Sequence, residues 1–218
     1  MKPGKGIMKA LVKFQEGPGG VEIREAGIPA IGDEEVLVRV RAAGFCGTDL
    51  EIYHGDFKTA VPVILGHEGA GEVAAVGRAV TGVKAGDRVA LETSKIICGA
   101  CFYCRTGRYN LCSSRKGMGY GTDGTFAEFV KTNGSRVHRL PGRIPFEQAG
   151  ILEPLSVAVR AAVQIAAVRG GDTVLVSGPG PIGLLLVQVA RAAGASRVFM
   201  VGRKSRNRLQ LAGELGAE

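Results

Sequence analysis

The sequence predicts a two-domain α+β protein, β-rich over residues 1–150 and α/β over residues 151–218. Three observations point to it. Before Pro145, short apolar runs alternate with Gly, Pro and Asp. After it, longer Ala/Val-rich stretches take over, and one Gly-x-Gly-x-x-Gly turn sits between an apolar run and a helical one. Glycine supplies 34 of 218 residues, about twice the usual ~7%, so tight turns and close backbone approaches are expected throughout.

The elements follow in order. Residues 8–14 and 36–41 alternate apolar and polar side chains, the pattern of half-buried strands. Residues 72–76 and 88–91 are short apolar runs, and residues 126–131 read as a further strand. Gly17-Pro18-Gly19-Gly20, Gly32-Asp33 and Gly86-Asp87 punctuate them as turns. Residues 153–167 are long and apolar enough for a helix. Thr173–Ser177 reads as a buried strand, residues 184–193 as a helix stopped by Gly194, and Arg197–Val201 as a second apolar strand. Ser205 offers an N-cap for a last helix reaching Leu215. Strand, glycine turn, helix and strand make a βαβ unit.

Bulk properties narrow the function. The net charge of +8 raises nucleic acid as a partner, but no run of Lys/Arg is long enough for an interaction tail. No apolar N-terminal segment and no stretch of 18 apolar residues is present, so no membrane span is expected and the location is read as cytoplasmic. Five cysteines, an odd number, argue against a fully paired disulfide framework and for metal binding in a reducing compartment. Met8 is read as the original start, with residues 1–7 dispensable.

Cys98, Cys101, Cys104 and Cys112 follow C-x2-C-x2-C-x7-C. Four thiolates close the tetrahedral shell of zinc and leave no open position, so this set reads as a structural zinc site. Taken alone, the cluster also fits a zinc ribbon that binds nucleic acid. Cys46, His67 and Glu68 form a second set: one thiolate, one imidazole and one carboxylate leave room for water or substrate. Neighbouring side chains on a strand point apart, so His67 and Glu68 need an irregular backbone, which Gly66 and Gly69 permit. Glu153 is an alternative or exchanging third ligand. Two zinc patterns of different character suggest an enzyme; the competing reading is a zinc-stabilised binding module without catalysis.

Gly178, Gly180 and Gly183 bracket Pro181 and Ile182 between a predicted strand and helix, the setting in which a helix N-terminus receives a pyrophosphate. The bland alternative is a plain structural turn. About 20 residues on, where an acidic residue would hold the ribose hydroxyls of NAD, the sequence has Val201-Gly202-Arg203-Lys204. Arg203 and Lys204, with Arg208, attract a 2′-phosphate, which favours NADP over NAD.

Together these segments resemble the zinc-dependent medium-chain dehydrogenases. The resemblance rests on Gly44-Phe45-Cys46-Gly47-Thr48-Asp49, Gly66-His67-Glu68-Gly69, the four-cysteine stretch, Glu153-Pro154-Leu155-Ser156-Val157-Ala158-Val159, and Val176-Ser177-Gly178-Pro179-Gly180-Pro181-Ile182-Gly183. Within the family the chain looks most like the polyol branch of sorbitol or L-iditol 2-dehydrogenases, with threonine 3-dehydrogenases close behind. The resemblance implies a GroES-like catalytic domain, then a partial Rossmann domain, with substrate in the cleft between them. It implies two zinc ions per chain, one catalytic and one structural, NADP or NAD, a small alcohol or polyol substrate, and homo-oligomers for the full-length form. It also implies that Thr48 accepts the alcohol proton, with Glu51 next in the relay, where many relatives carry His. Relatives are about half as long again, so the chain is read as C-terminally truncated and poorly active by itself.

Overall fold

The computed structural model describes residues 6–203 and 205–218. They divide into two compact units, Met1–Leu152 and Glu153–Glu218. Elements in the first are β1 (Ile7–Lys13), β2 (Val21–Gly27), β3 (Glu35–Ala42), α1 (Gly47–His54), β4 (Val63–Ile64), β5 (Ala70–Val76), β6 (Arg88–Leu91), β7 (Ser94–Ile96), α2 (Phe102–Arg105), β8 (Lys116–Gly117), β9 (Phe129–Asn133), β10 (Val137–Arg139) and α3 (Phe146–Ala149). α4 (Leu152–Val159) runs into the second unit, which continues with β11 (Thr173–Ser177), α5 (Pro181–Ala192), β12 (Arg197–Val201) and α6 (Arg206–Glu214).

The first unit is built on a five-stranded antiparallel sheet in the order β10-β6-β5-β3-β9, beside a three-stranded sheet β2-β1-β4 and a small β7-β8 ribbon. β3 shows how alternation feeds two cores. Val36 and Val38 pack with Val73, Val89, Met118 and Val130, while Leu37 between them joins Met8, Ala10, Val12 and Phe129. Successive strand side chains face opposite ways, so one strand closes both layers. A third cluster of Ile52, Val63 and Leu65, with Phe57 and Tyr120 against it, docks α1.

Several expectations shift. β9 starts at Phe129, three residues later than read, because the chain at Phe126 is bonded to β1 and the 65–66 turn: Leu11 N–H donates to Phe126 O at 2.8 Å, and Phe126 N–H to Leu65 O at 2.9 Å. β2 escaped notice because it is an edge strand with mostly exposed, charged side chains. α1 escaped because it buries just Asp49 and Ile52 and so lacks an apolar stripe. Gly6 and Ile7 take part in the fold: Ile7 opens β1, and Ile28 N–H donates to Gly6 O at 3.1 Å. The remainder of the proposed extension, residues 1–5, lies outside the described residues.

In the second unit β11 and β12 pair in parallel, from Thr173 opposite Arg197 to Ser177 opposite Val201. α5 covers one face through Val187 and Ala190 against Val176, Val198 and Met200. β11 is therefore half-buried, not the buried strand expected: Val176 is covered while Leu175 is 66% exposed. α5 starts at Pro181, three residues early, because proline lacks only an N–H that a first-turn residue leaves unpaired anyway. The helix predicted over 153–167 is α-helical to Val159 and then widens to a π turn over Arg160–Ile165, with Ala166 N–H donating to Ala161 O at 2.9 Å. Ser205 stands at the N-cap of α6 but makes no side-chain capping bond.

Candidate functional site

The backbone from Leu65 to Gly69 is not a strand, and this lets two adjacent side chains face one point. Gly66 has φ +87°, a left-handed conformation that reverses the side-chain alternation just before His67. The turn is clamped from outside. Thr125 N–H donates to Gly66 O at 2.9 Å, and the buried Thr125 hydroxyl donates to Glu68 O at 3.0 Å. Gly124 packs so closely that a Cβ there would lie 2.0 Å from Gly66 O. Gly44 makes similar room on the other side, since its Cβ would sit 2.0 Å from Glu68 Oε2.

Cys46 arrives from a different element, as the N-cap of α1. Its N–H donates to Asp49 Oδ2 at 3.0 Å, which anchors the first turn. Cys46, His67 and Glu68 each bring a ligand atom within 4.8 Å of the others, and His67 and Glu68 are buried. Two buried atoms beside them, His67 Nδ1 and Asp49 Oδ1, have no hydrogen-bond partner and lie 3.9 Å apart. Burial foremost pushes the Asp49 carboxyl up, against the Cys46 N–H and the His67 ring, which favour its charge. A thiolate, an imidazole and a carboxylate turned on one another without apolar filling fit a divalent cation, and a buried carboxylate beside the imidazole's far nitrogen is the arrangement that orients a ligating histidine. Thr48 Oγ1 lies 3.8 Å from Cys46 Sγ, beside this set, whereas Glu51 is exposed one turn further along α1.

The other four cysteines also converge, around α2. Cys98 Sγ lies 3.6 Å from Cys112 Sγ and 3.9 Å from Cys104 Sγ. Four sulfurs about 2.3 Å from a tetrahedral zinc stand about 3.8 Å apart, so the spacing fits the ion; all four are free thiols. The Ala100 and Cys101 N–H groups aim at Cys98 and bring its thiol down to about 6, while burial and the adjacent thiols push Cys104 up to about 12.

In the second unit the glycine turn joins β11 to α5. Gly178 has φ +94°, and open space surrounds the Cβ positions of Gly178 and Gly180. Gly183 is the packing glycine: a Cβ there would meet Gly178 O at 2.0 Å. Pro181 and Ile182 form the exposed first turn of α5; Pro181 carries no N–H, and the other first-turn N–H groups of a helix have no intrahelical partner. Gly202, after β12, tolerates Pro179, which would lie 2.6 Å from its Cβ. Arg203 and Arg208 are exposed near it; Lys204 lies outside the described residues. Glu153 lies in the second unit, on α4. His54 and His138, read from sequence as surface or core residues, are exposed, and His138 pairs with Glu92 at 2.7 Å.

Sequence reasoning missed Asp49, Gly44, Gly124 and Thr125 as supports of the site. Asp49 carried a readable signal, its capping distance from Cys46; the other three act through tertiary approach and left none.

The family described as the alcohol dehydrogenase GroES-like domain matches residues 32–142. The chain is 42% identical over 211 residues to a sorbitol dehydrogenase of Halalkalibacterium halodurans, covering 97% of this chain and 61% of that protein. It is 46% identical over an alignment of 219 positions to an L-threonine 3-dehydrogenase of Symbiobacterium thermophilum, covering 97% of this chain and 60% of that protein. A solved structure described as a zinc-binding dehydrogenase from Sinorhizobium meliloti 1021 bound to NADP superposes with a TM-score of 0.90 at 37% identity, over 98% of this chain and 61% of that one. The chain thus spans about 60% of the length of these relatives.

Proposed function

The chain belongs to the alcohol dehydrogenase GroES-like domain family, and from that premise we propose that it is the zinc-binding and cofactor-entry part of a dehydrogenase moving hydride between a polyol or secondary alcohol and NADP or NAD. The observation that carries the reading is the convergence of Cys46, buried His67 and buried Glu68 beside the Thr48 hydroxyl. Cys46 and His67, with Glu68 or Glu153 as third ligand, would hold a zinc ion that acts as a Lewis acid on the alcohol. Thr48 takes up the alcohol proton through its hydroxyl, and exposed Glu51 hands it to water. Gly178, Gly180, Pro181, Ile182 and Gly183 receive the pyrophosphate, and Arg203, Lys204 and Arg208 favour the 2′-phosphate of NADP. Cys98, Cys101, Cys104 and Cys112 hold the structural zinc. The substrate is a small molecule, and the parent enzyme is read as a cytoplasmic homo-oligomer. No helix among the described residues is long and apolar enough to cross a membrane.

A second reading, L-threonine as substrate, is favoured by the 46% identity to a threonine dehydrogenase. Sorbitol, L-iditol and L-threonine tested on the full-length protein with NAD and NADP separate the two, and no turnover with any secondary alcohol would sink both.

Metal analysis of the purified chain is expected to give two zinc ions, and Cys112→Ser one. A single ion in the unaltered chain favours a non-catalytic module. Thr48→Val is expected to lower kcat by about 10²-fold or more with both zinc ions retained, and Thr48→Ser to restore it. Gly183→Val is expected to abolish cofactor binding in the full-length protein, read by nicotinamide fluorescence, because the helix must leave the turn. Arg203→Glu is expected to weaken NADP at least tenfold while sparing NAD.

A further inference from the structure

The first unit contains a cavity of about 580 Å³ whose walls include none of the five cysteines. Lys95, on β7, stands on its wall with Lys131, Glu35 and Asp123, and it also borders an adjoining cavity of about 220 Å³. The two lysines are placed differently. Lys131 is ion-paired with Glu35 at 2.9 Å, whereas the Lys95 ammonium donates to a neutral acceptor, the Asp123 carbonyl, at 2.9 Å. Burial foremost, and then Lys131, lower the Lys95 pKa to about 8, although Asp123 and Glu35 favour its charge. The shift makes the neutral, nucleophilic amine more accessible near neutral pH than in a solvated lysine, near 10.4.

We propose that Lys95 is a covalent capture site for small aldehydes, which enter the cavity and form an imine with its amine. The neutral nitrogen adds to the carbonyl carbon to give a carbinolamine. Loss of water then leaves the C=N bond, with no change of oxidation state and no further reactant. Val63 and Ile97 on the wall suit a short hydrocarbon chain, and the volume is that of a small-molecule site. The site stands apart from the proposed dehydrogenase chemistry and does not depend on it.

The test is reductive alkylation of the zinc-loaded chain with propionaldehyde and cyanoborohydride, read by peptide mass mapping. Lys95 is expected to be alkylated at least about tenfold faster than the exposed Lys58 and Lys116, with a rate that levels off above about pH 8 while theirs keep rising. Lys95→Arg is expected to remove the fast label and leave the others unchanged. Ala60→Phe, which narrows the cavity, is expected to slow labelling of Lys95 by benzaldehyde but not by formaldehyde. Lys95 reacting no faster than Lys58 and Lys116, or Ala60→Phe leaving both aldehydes equally fast, overturns the proposal.

Discussion

Cys46→Ser is expected to lower turnover of the full-length enzyme by on the order of 10³-fold or more, since metal catalysis supplies several kcal/mol of transition-state stabilisation. Cys46 provides the sulfur of the set, and a serine hydroxyl in its place is a weak ligand for zinc. Metal content is expected to fall from two ions to one. The backbone is expected to survive, because the Cys46 N–H bond to Asp49 Oδ2 is kept and a serine hydroxyl is itself a good N-cap acceptor in place of the sulfur. Folding read by circular dichroism and metal content read by mass spectrometry check the two halves separately. Unchanged turnover with one ion lost would place the chemistry elsewhere.

Gly124→Ala is expected to destabilise the first unit by on the order of 3 kcal/mol, lowering its melting temperature by roughly 10 °C. The added Cβ would lie 2.0 Å from Gly66 O and 2.5 Å from Leu65 O. Both are backbone atoms and cannot rotate away, so the turn that carries His67 and Glu68 must move. The ion proposed at Cys46, His67 and Glu68 is therefore expected to be lost with the stability, while the one proposed at the four cysteines stays bound. Gly82→Ala is the control, since its Cβ meets nothing within 4 Å and its φ is not left-handed. Equal melting temperatures for the two variants would contradict the close packing at residue 124.

Legibility from sequence followed how local each feature is. Thr173–Ser177, Arg197–Val201 and Arg88–Leu91 were read with their observed bounds, because apolar runs between turn residues announce strands. The four cysteines were legible as one cluster because three lie within seven residues and a short loop returns the fourth. β2 and α1 were not legible, since neither carries the apolar periodicity that pattern reading requires. The glycine turn was legible in type and in the three tasks of its glycines, a tight turn, close backbone approach and helix packing: Gly178 bends the chain, Gly180 leaves space, and Gly183 lets the helix pack.

The linear chain determined the ligand inventory, because thiol, imidazole and carboxylate chemistry belongs to residue identity and closed or open coordination follows from the ligand count. It also determined the βαβ order and the basic residues at the end of the second strand. Tertiary structure decided which candidates meet. Cys46 and His67 are 21 residues apart in sequence, and they converge because Gly66 turns left-handed, Gly44 leaves space for the Glu68 carboxylate, and Gly124 and Thr125 clamp the turn from the loop before β9. Close approach depends on atoms brought from distant segments, and no local pattern encodes it.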